Sequence, residues 1–499
     1  MKIANKFYVR ACVMFVAIAA IAYLSTLAKG VLSVVLLFVA LAAALMDKRG
    51  LVLSSFILFP LLLTLNPLIF PLTALGSNVN RISTFLVAIV MAITAAKHRG
   101  PNQIPLGGMI PYLLIAMISS MQGYFPQISY FKLLNFTVFL IGVWIGSRNL
   151  QNSPRDIETL RTFLFAVAMF IVLGSAATLP FPGLAYMDLK NLTRKEGLEA
   201  ANAVYNAVSD GGGFSLFCGI TNQSQCLGPM LAAVVMWVIC DMLFVERRFA
   251  KLHVLVVGVG VVLMYLTRSR TSLLTFLVGG SVLMLYALRK IQMSSRLIRH
   301  VRNIATLGIV LMVMWAIYSE IRHQTMTKWI RKSDDTSVSW TEAVTSSRQR
   351  LIEECWADFH YNEVLGCGFQ VAYDHPYLYG NKEGLILSAP IEKGLLPLMV
   401  LGETGVVGAF VFVGFLFAFY AGCAKKHLFA TMLLFTVMVA SNFGEADFFS
   451  PGGIGGTKWV LCVVGGFIID TQLLYTRQIE RRLDEMRRLQ AGQFALQSF

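Results

Sequence analysis

Fourteen apolar stretches of 15 to 29 residues recur along this chain, separated mostly by short polar connections. They lie near 11–28, 31–46, 51–73, 83–97, 104–122, 131–147, 161–180, 224–245, 253–267, 271–288, 304–320, 393–421, 428–443 and 456–475. A helix needs about 20 apolar residues to cross a bilayer core, so flanking residues complete the shorter ones. Inside hydrocarbon the backbone must satisfy its own hydrogen bonds, which selects helices for segments of this length. Only 14% of residues are charged, against about 25% in soluble domains. The pattern therefore predicts an all-α, polytopic transmembrane helix bundle of about 14 spans, with 12–14 as the range, and a large extracytoplasmic loop. The first stretch is too long, and too closely followed by others, to read as a cleaved signal peptide.

Charge orients the bundle. With the N-terminus inside, the alternate connections, the N-terminus and the tail hold 25 of the 42 basic residues. Short cytoplasmic connections carry such an excess, so both termini are expected in the cytoplasm. The net charge of +15 then reflects inner loops, not a nucleic-acid partner. The expected organisation is N-terminal transmembrane helices over 1–180, an extracytoplasmic loop over 181–223, and helices with an arginine segment over 224–320. A large extracytoplasmic loop follows over 321–392, then C-terminal helices over 393–475 and a cytoplasmic basic tail over 476–499. Loops as long as 321–392 are often lids or binding elements. The tail, TRQIERRLDEMRRLQ, reads as a basic helix lying along the inner leaflet. No internal repeat is evident, which disfavours transporter folds built from two related halves.

The eight cysteines show no metal-ligand spacing, and no metal or cofactor is assigned. Cys355 and Cys367 both fall in the large loop, where an oxidising compartment would allow a disulfide. There is no P-loop, no GxGxxG before a helix and no serine-nucleophile motif.

Several polar groups stand at extracytoplasmic ends of apolar segments. In LTRSRTSLL, Arg268 and Arg270 suit bidentate phosphate contacts, or else snorkel to headgroups. Arg348 and Arg350, in SSRQRLIEECW, offer a second cationic contact to the same anion, or are simply solvated. The opening GITNQSQCLG sets Gln223 and Gln225 at a helix mouth, suited to sugar hydroxyls or a phosphate. Ordinary N-capping by Ser224 or Asn222 is the competing reading. In IEKGLLPLMVLGETGVVG, Glu392 can serve as a general base and Lys393 can neutralise a leaving pyrophosphate. An ion pair at a helix start explains the same two residues. Glu403 lies two to three turns deeper, where a carboxylate needs a partner such as a buried arginine. His375 in DHP is the other candidate base, ahead of His360.

The order of these elements resembles the bacterial O-antigen ligase and Wzy-type polysaccharide polymerase superfamily. An amide-rich helix opening (GITNQSQCLG) precedes an SRT-type segment (TRSRTSLL). A long loop then carries SSRQRLIEECW and a glycine-rich GCGF, before a helix of the form LxxLxExxG, here LPLMVLGETGVVG. The likeness covers roughly residues 215–410. It implies a metal-independent glycosyltransferase of the bacterial inner membrane, with long loops in the periplasm. Its donor would be an undecaprenyl-diphosphate-linked oligosaccharide, and its other partners membrane lipids, a chain-length regulator and export machinery. By this resemblance Arg268 or Arg270, with Arg348, grip the diphosphate. The histidine that ligases place before the LxxLxExxG helix is replaced by Gly394 and Leu395, so Glu392 is the expected base and a polymerase is favoured. A ligase passing the glycan to lipid A-core is the nearest alternative, and a flippase of lipid-linked sugars the more distant one.

Overall fold

In the computed structural model the described residues are 2–95, 103–148, 150–186, 217–290, 340–371, 394–476 and four positions of the tail. Most of these residues are helical, none forms a strand, and one isolated bridge joins Leu65 to Thr221. The helices are α1 (Lys2–Leu27), α2 (Val31–Leu45), α3 (Arg49–Thr64), α4 (Ala74–Ala95), α5 (Ile110–Gln122), α6 (Pro126–Gly146) and α7 (Pro154–Ala177). After them come α8 (Ser224–Cys240), α9 (Lys251–Leu266), α10 (Arg270–Lys290), α11 (Trp340–Tyr361), α12 (Leu396–Lys425), α13 (Phe429–Ser441) and α14 (Ile454–Lys458). Two π-helical turns, Asp241–Glu246 and Trp459–Val464, extend α8 and α14.

Among the described residues seven helices are long and apolar enough to cross a membrane, and six shorter apolar ones accompany them. Together they coincide with thirteen of the fourteen expected segments, and the remaining one, 304–320, lies outside the described residues. The expected span 51–73 is shorter than anticipated. Its helix stops at Thr64, and the chain then runs irregularly past Pro67 and Pro71, neither of which can donate to a helix. The segment 321–392, expected as one large loop, contains the helix α11. Leu351, Cys355 and Asp358, at helical spacing, turn towards α12, so a face too polar to look like a span is nevertheless packed.

The innermost helix is α8, apolar on nearly every face and almost wholly buried, with Trp237 inaccessible. It packs against α9, α10 and α13, while α7 joins it to α1, α3 and α9. Segments expected on one side of the membrane meet at one end of the bundle. The Asn66 amide donates to the Ile220 carbonyl at 2.8 Å, Tyr124 N to Cys367 O at 3.1 Å, and the Gln370 side-chain amide to the Phe449 carbonyl. At the opposite end, Gly50 N donates to Asp156 Oδ1 at 3.2 Å and Lys426 Nζ to the Gln103 carbonyl at 2.8 Å.

That opposite end also holds a buried ionic network. Arg161, one of the 25 basic residues counted at the inner side, is 8% exposed and chelates Asp241 through Nε (2.7 Å) and Nη2 (2.9 Å). Its Nη2 also reaches Glu246 Oε1 at 2.7 Å. His253 Nε2 lies 3.0 Å from Asp241 Oδ2, and its Nδ1 lies 3.3 Å from the Tyr8 hydroxyl. The π turn of α8 lets both carboxylates face one guanidinium, and the network ties together α1, α7, α8 and α9.

Candidate functional site

The end of the bundle where 65–73, 217–223, 362–371 and 442–453 converge encloses a polar cavity of about 590 Å³. This falls within the range of about 300–1,000 Å³ usual for small-molecule sites. Its polar lining includes Arg81 from α4, Lys132 and Asn135 from α6, the amides of Asn222, Gln223 and Gln225 at the mouth of α8, and Gln370, Glu445 and Asp447 from two loops.

The amide segment is held by its neighbours. Asn222 N donates to the Thr64 carbonyl at 2.9 Å, and the Thr221 hydroxyl donates to the Cys218 carbonyl at 2.8 Å. The Asn66 side chain clamps the Leu184 carbonyl at 2.9 Å. Gln223 occupies the N-cap of α8 in extended conformation, and no side-chain capping bond forms there, so capping does not account for these polar residues. Among the described residues, Asn222 Oδ1 and Asn135 Oδ1 are buried without a hydrogen-bond partner. Acceptors left so beside a cavity are costly unless a hydroxyl, an ammonium or water satisfies them.

A second, smaller pocket adjoins the first and shares Gln225 and Glu445 with it. Its remaining lining is Ser224, Thr267, Ser269, Arg270 and Thr271. The close approach depends on Gly228, where a Cβ would lie 2.5 Å from Ser272 Oγ, and on Gly444, where a Cβ would overlap the Thr271 side chain. Arg270 is thus brought to the edge of the amide-lined cavity. Arg268 sits at φ +50 in the turn between α9 and α10 and is half-buried. Burial raises the Tyr186 phenol above its ordinary range, and the charge of Arg268 opposes that push.

Two further motifs interlock away from the cavity. Gly405 breaks α12 at φ +64, and the GCGF segment lies across the break. Val406 N donates to the Glu363 carbonyl at 2.9 Å, Cys367 N to Gly402 O at 2.9 Å, and Gly368 N to Glu403 O at 3.1 Å. The glycines are required here, because a Cβ on Gly366 or Gly405 would overlap the facing backbone. Glu403 is therefore buried at this junction, its carbonyl also accepting from Ser119 Oγ at 2.5 Å, and it does not line the cavity. Arg348 and Arg350 fall on α11, with side chains outside those described. Glu392, Lys393 and His375 lie outside the described residues. His360 faces solvent beside Glu363 at 3.0 Å, an exposed pair of little consequence. Cys355 and Cys367 are both buried, and no disulfide joins them.

Sequence reasoning passed over the cavity's other charges. Lys132 is 3% exposed, with Nζ donating to the Gln370 carbonyl at 3.2 Å. Asp447 Oδ2 pairs with Lys458 Nζ at 2.7 Å. The available signal was an ionisable residue within an apolar run, as in YFKLLNF and GTKWVL, which by itself marks a membrane segment as functional. Among the charged groups that line the two pockets or pair with that lining, the cations Arg81, Lys132, Arg270 and Lys458 outnumber Glu445 and Asp447. Such an arrangement can hold an anion and hydrogen-bond a polyhydroxylated group beside it. No family model and no curated protein matches the chain.

Proposed function

We propose that this chain is a membrane polysaccharide polymerase that joins undecaprenyl-diphosphate-linked oligosaccharide units at the periplasmic face of a bacterial inner membrane. In this reading the bundle has about 14 spans, both termini are cytoplasmic, and the polar cavity opens towards the periplasm. The observation that carries the reading is the cavity: amides of Asn222, Gln223, Gln225 and Asn135 beside the cations Arg81 and Lys132, with Arg270 at its edge. Arg270 and its neighbouring cations would hold the diphosphate and stabilise its charge as it leaves. The amides would orient sugar hydroxyls of donor and acceptor, bringing the attacking oxygen in line with the anomeric carbon. By the resemblance, Arg268 and Arg348 would add further cationic contacts to the diphosphate.

The test uses purified protein in nanodiscs with the polyprenyl-diphosphate-linked repeat unit extracted from the source bacterium. A ladder of multiples in wild type, lost in Arg270→Ala, supports polymerisation at this site. Transfer only after lipid A-core is added makes the protein a ligase. Movement of lipid-linked sugar across sealed liposomes without transfer makes it a flippase.

A further inference from the structure

We propose that Asp447 is the general base that deprotonates the attacking hydroxyl, with Lys458 as its positioning residue. This rests on the glycosyl-transfer reading and gives that site a base distinct from the two suggested by sequence. Asp447 lines the cavity with the two carboxylate oxygens in different situations. Oδ2 is held 2.7 Å from Lys458 Nζ, while Oδ1 has no hydrogen-bond partner among the described residues. Lys458 is inaccessible to solvent and also donates to Ser441 Oγ at 2.9 Å, so the ammonium is fixed from two sides. The carboxylate is therefore anchored through one oxygen and retains an acceptor on the other.

The loop carrying Asp447 is rigidly braced. Phe448 N donates to Asn442 Oδ1 at 2.7 Å, Ser450 N to the Asp447 carbonyl at 3.0 Å, and Trp459 Nε1 to the Phe448 carbonyl at 2.7 Å. Gly455 packs so closely on the Asp447 carbonyl that no side chain would fit there. Catalytic groups need support of this kind to hold their geometry. The charged group in contact with Asp447 is Lys458 from α14, the buried Cys462 thiol also interacts with it, and Lys132 from α6, Arg81 from α4 and Glu445 of the same loop line the same cavity. Burial raises the Asp447 carboxyl above the ordinary range, and the Lys458 ammonium opposes the shift. A carboxylate of raised proton affinity is suited to base catalysis.

The step balances without a further reagent. Asp447 takes the hydroxyl proton as that oxygen bonds to the anomeric carbon. The anomeric C–O bond to the diphosphate breaks, and its electron pair leaves with the polyprenyl diphosphate. The proton then passes from Asp447 to water in the cavity.

The experiment measures glycosidic bonds formed by the full chain in nanodiscs, using the extracted polyprenyl-diphosphate-linked repeat unit, for wild type, Asp447→Asn, Asp447→Glu and Asp447→Asn/Lys458→Met. The double variant removes both buried charges together, which spares the fold the lone ammonium left by the single change. Expected is a loss in kcat of about 100-fold or more in Asp447→Asn and in the double variant, the scale of general-base catalysis, with donor KM within about threefold of wild type. Asp447→Glu should recover part of the rate. Wild-type kcat should fall as pH drops through the Asp447 pKa, and the residual rate of Asp447→Asn should lack that limb. Retention of more than about a tenth of wild-type kcat by either asparagine variant, or an unchanged acid limb in Asp447→Asn, overturns the assignment and leaves the enzyme class standing. Failure of wild type to form any bond overturns both.

Discussion

Replacing Arg161 by Met should expose how strongly the buried ionic network holds four helices together. The guanidinium makes three contacts of 2.7–2.9 Å with Asp241 and Glu246, whose side chains are 0% and 11% exposed. Its carbon also lies 4.3 Å above the Phe7 ring, a cation–π contact worth about 0.5–1 kcal/mol or more. Without it, Asp241 keeps the His253 contact at 3.0 Å, and Glu246 keeps half-exposed Arg248 at 3.4 Å. Two carboxylates then face each other with little compensation, and breaking a buried pair in this way costs about 3–5 kcal/mol. Replacing Arg161 and Asp241 together by Met and Leu removes the uncompensated charge, and such apolar replacements are often neutral. The double variant should lie within about 1–2 kcal/mol of wild type, giving a coupling of about 2 kcal/mol or more. Equilibrium unfolding in mixed detergent measures both quantities. A cost below about 1 kcal/mol for Arg161→Met, or strictly additive single effects, would refute the reasoning.

Other substitutions probe the cavity end. Gly405→Ala should destabilise by about 2–3 kcal/mol or more, since φ +64 disfavours alanine and the Cβ overlaps the Val364 carbonyl; an unchanged melting temperature would count against the interlocked motifs. Gln225→Ala, at the junction of the two pockets, should lower kcat/KM for the lipid-linked donor about tenfold, a lost hydrogen bond to substrate, with melting unchanged. Lys132→Met should raise the donor KM severalfold and weaken the salt dependence of donor binding, because it removes a cation from the cavity wall. Equal KM at low and high salt in wild type would contradict a role for these cations.

Much of the helix pattern was legible in the sequence, because hydropathy reports directly on which stretches can sit in hydrocarbon. What hydropathy does not report is how each helix is rotated and tilted, and that decides which polar residues meet. Gln225 and Arg270 stood at helix mouths on the same expected side, so their meeting followed from alternation alone. Lys132 and Asn135 sat inside a run read as a plain span and Arg81 just before another, and their common cavity depends on the packing of α4 against α6. Glu403 was expected to pair with a buried arginine beside the substrate, yet the break at Gly405 sets it at a junction with the GCGF loop. That break comes from a glycine in a segment otherwise rich in helix formers, where composition carries no warning. Arg161 was counted as a loop charge because the π turn that brings Asp241 and Glu246 to it leaves no trace in the hydrophobic period.

The central claim is that the chain makes glycosidic bonds at the expense of the bond to a polyprenyl diphosphate. The most direct measurement counts free polyprenyl diphosphate and new glycosidic bonds in the same reaction of purified protein with the lipid-linked repeat unit. The account predicts one diphosphate released for each bond formed, with both lost together in Arg270→Ala. Lipid-linked sugar crossing a sealed bilayer with its diphosphate bond intact would contradict it.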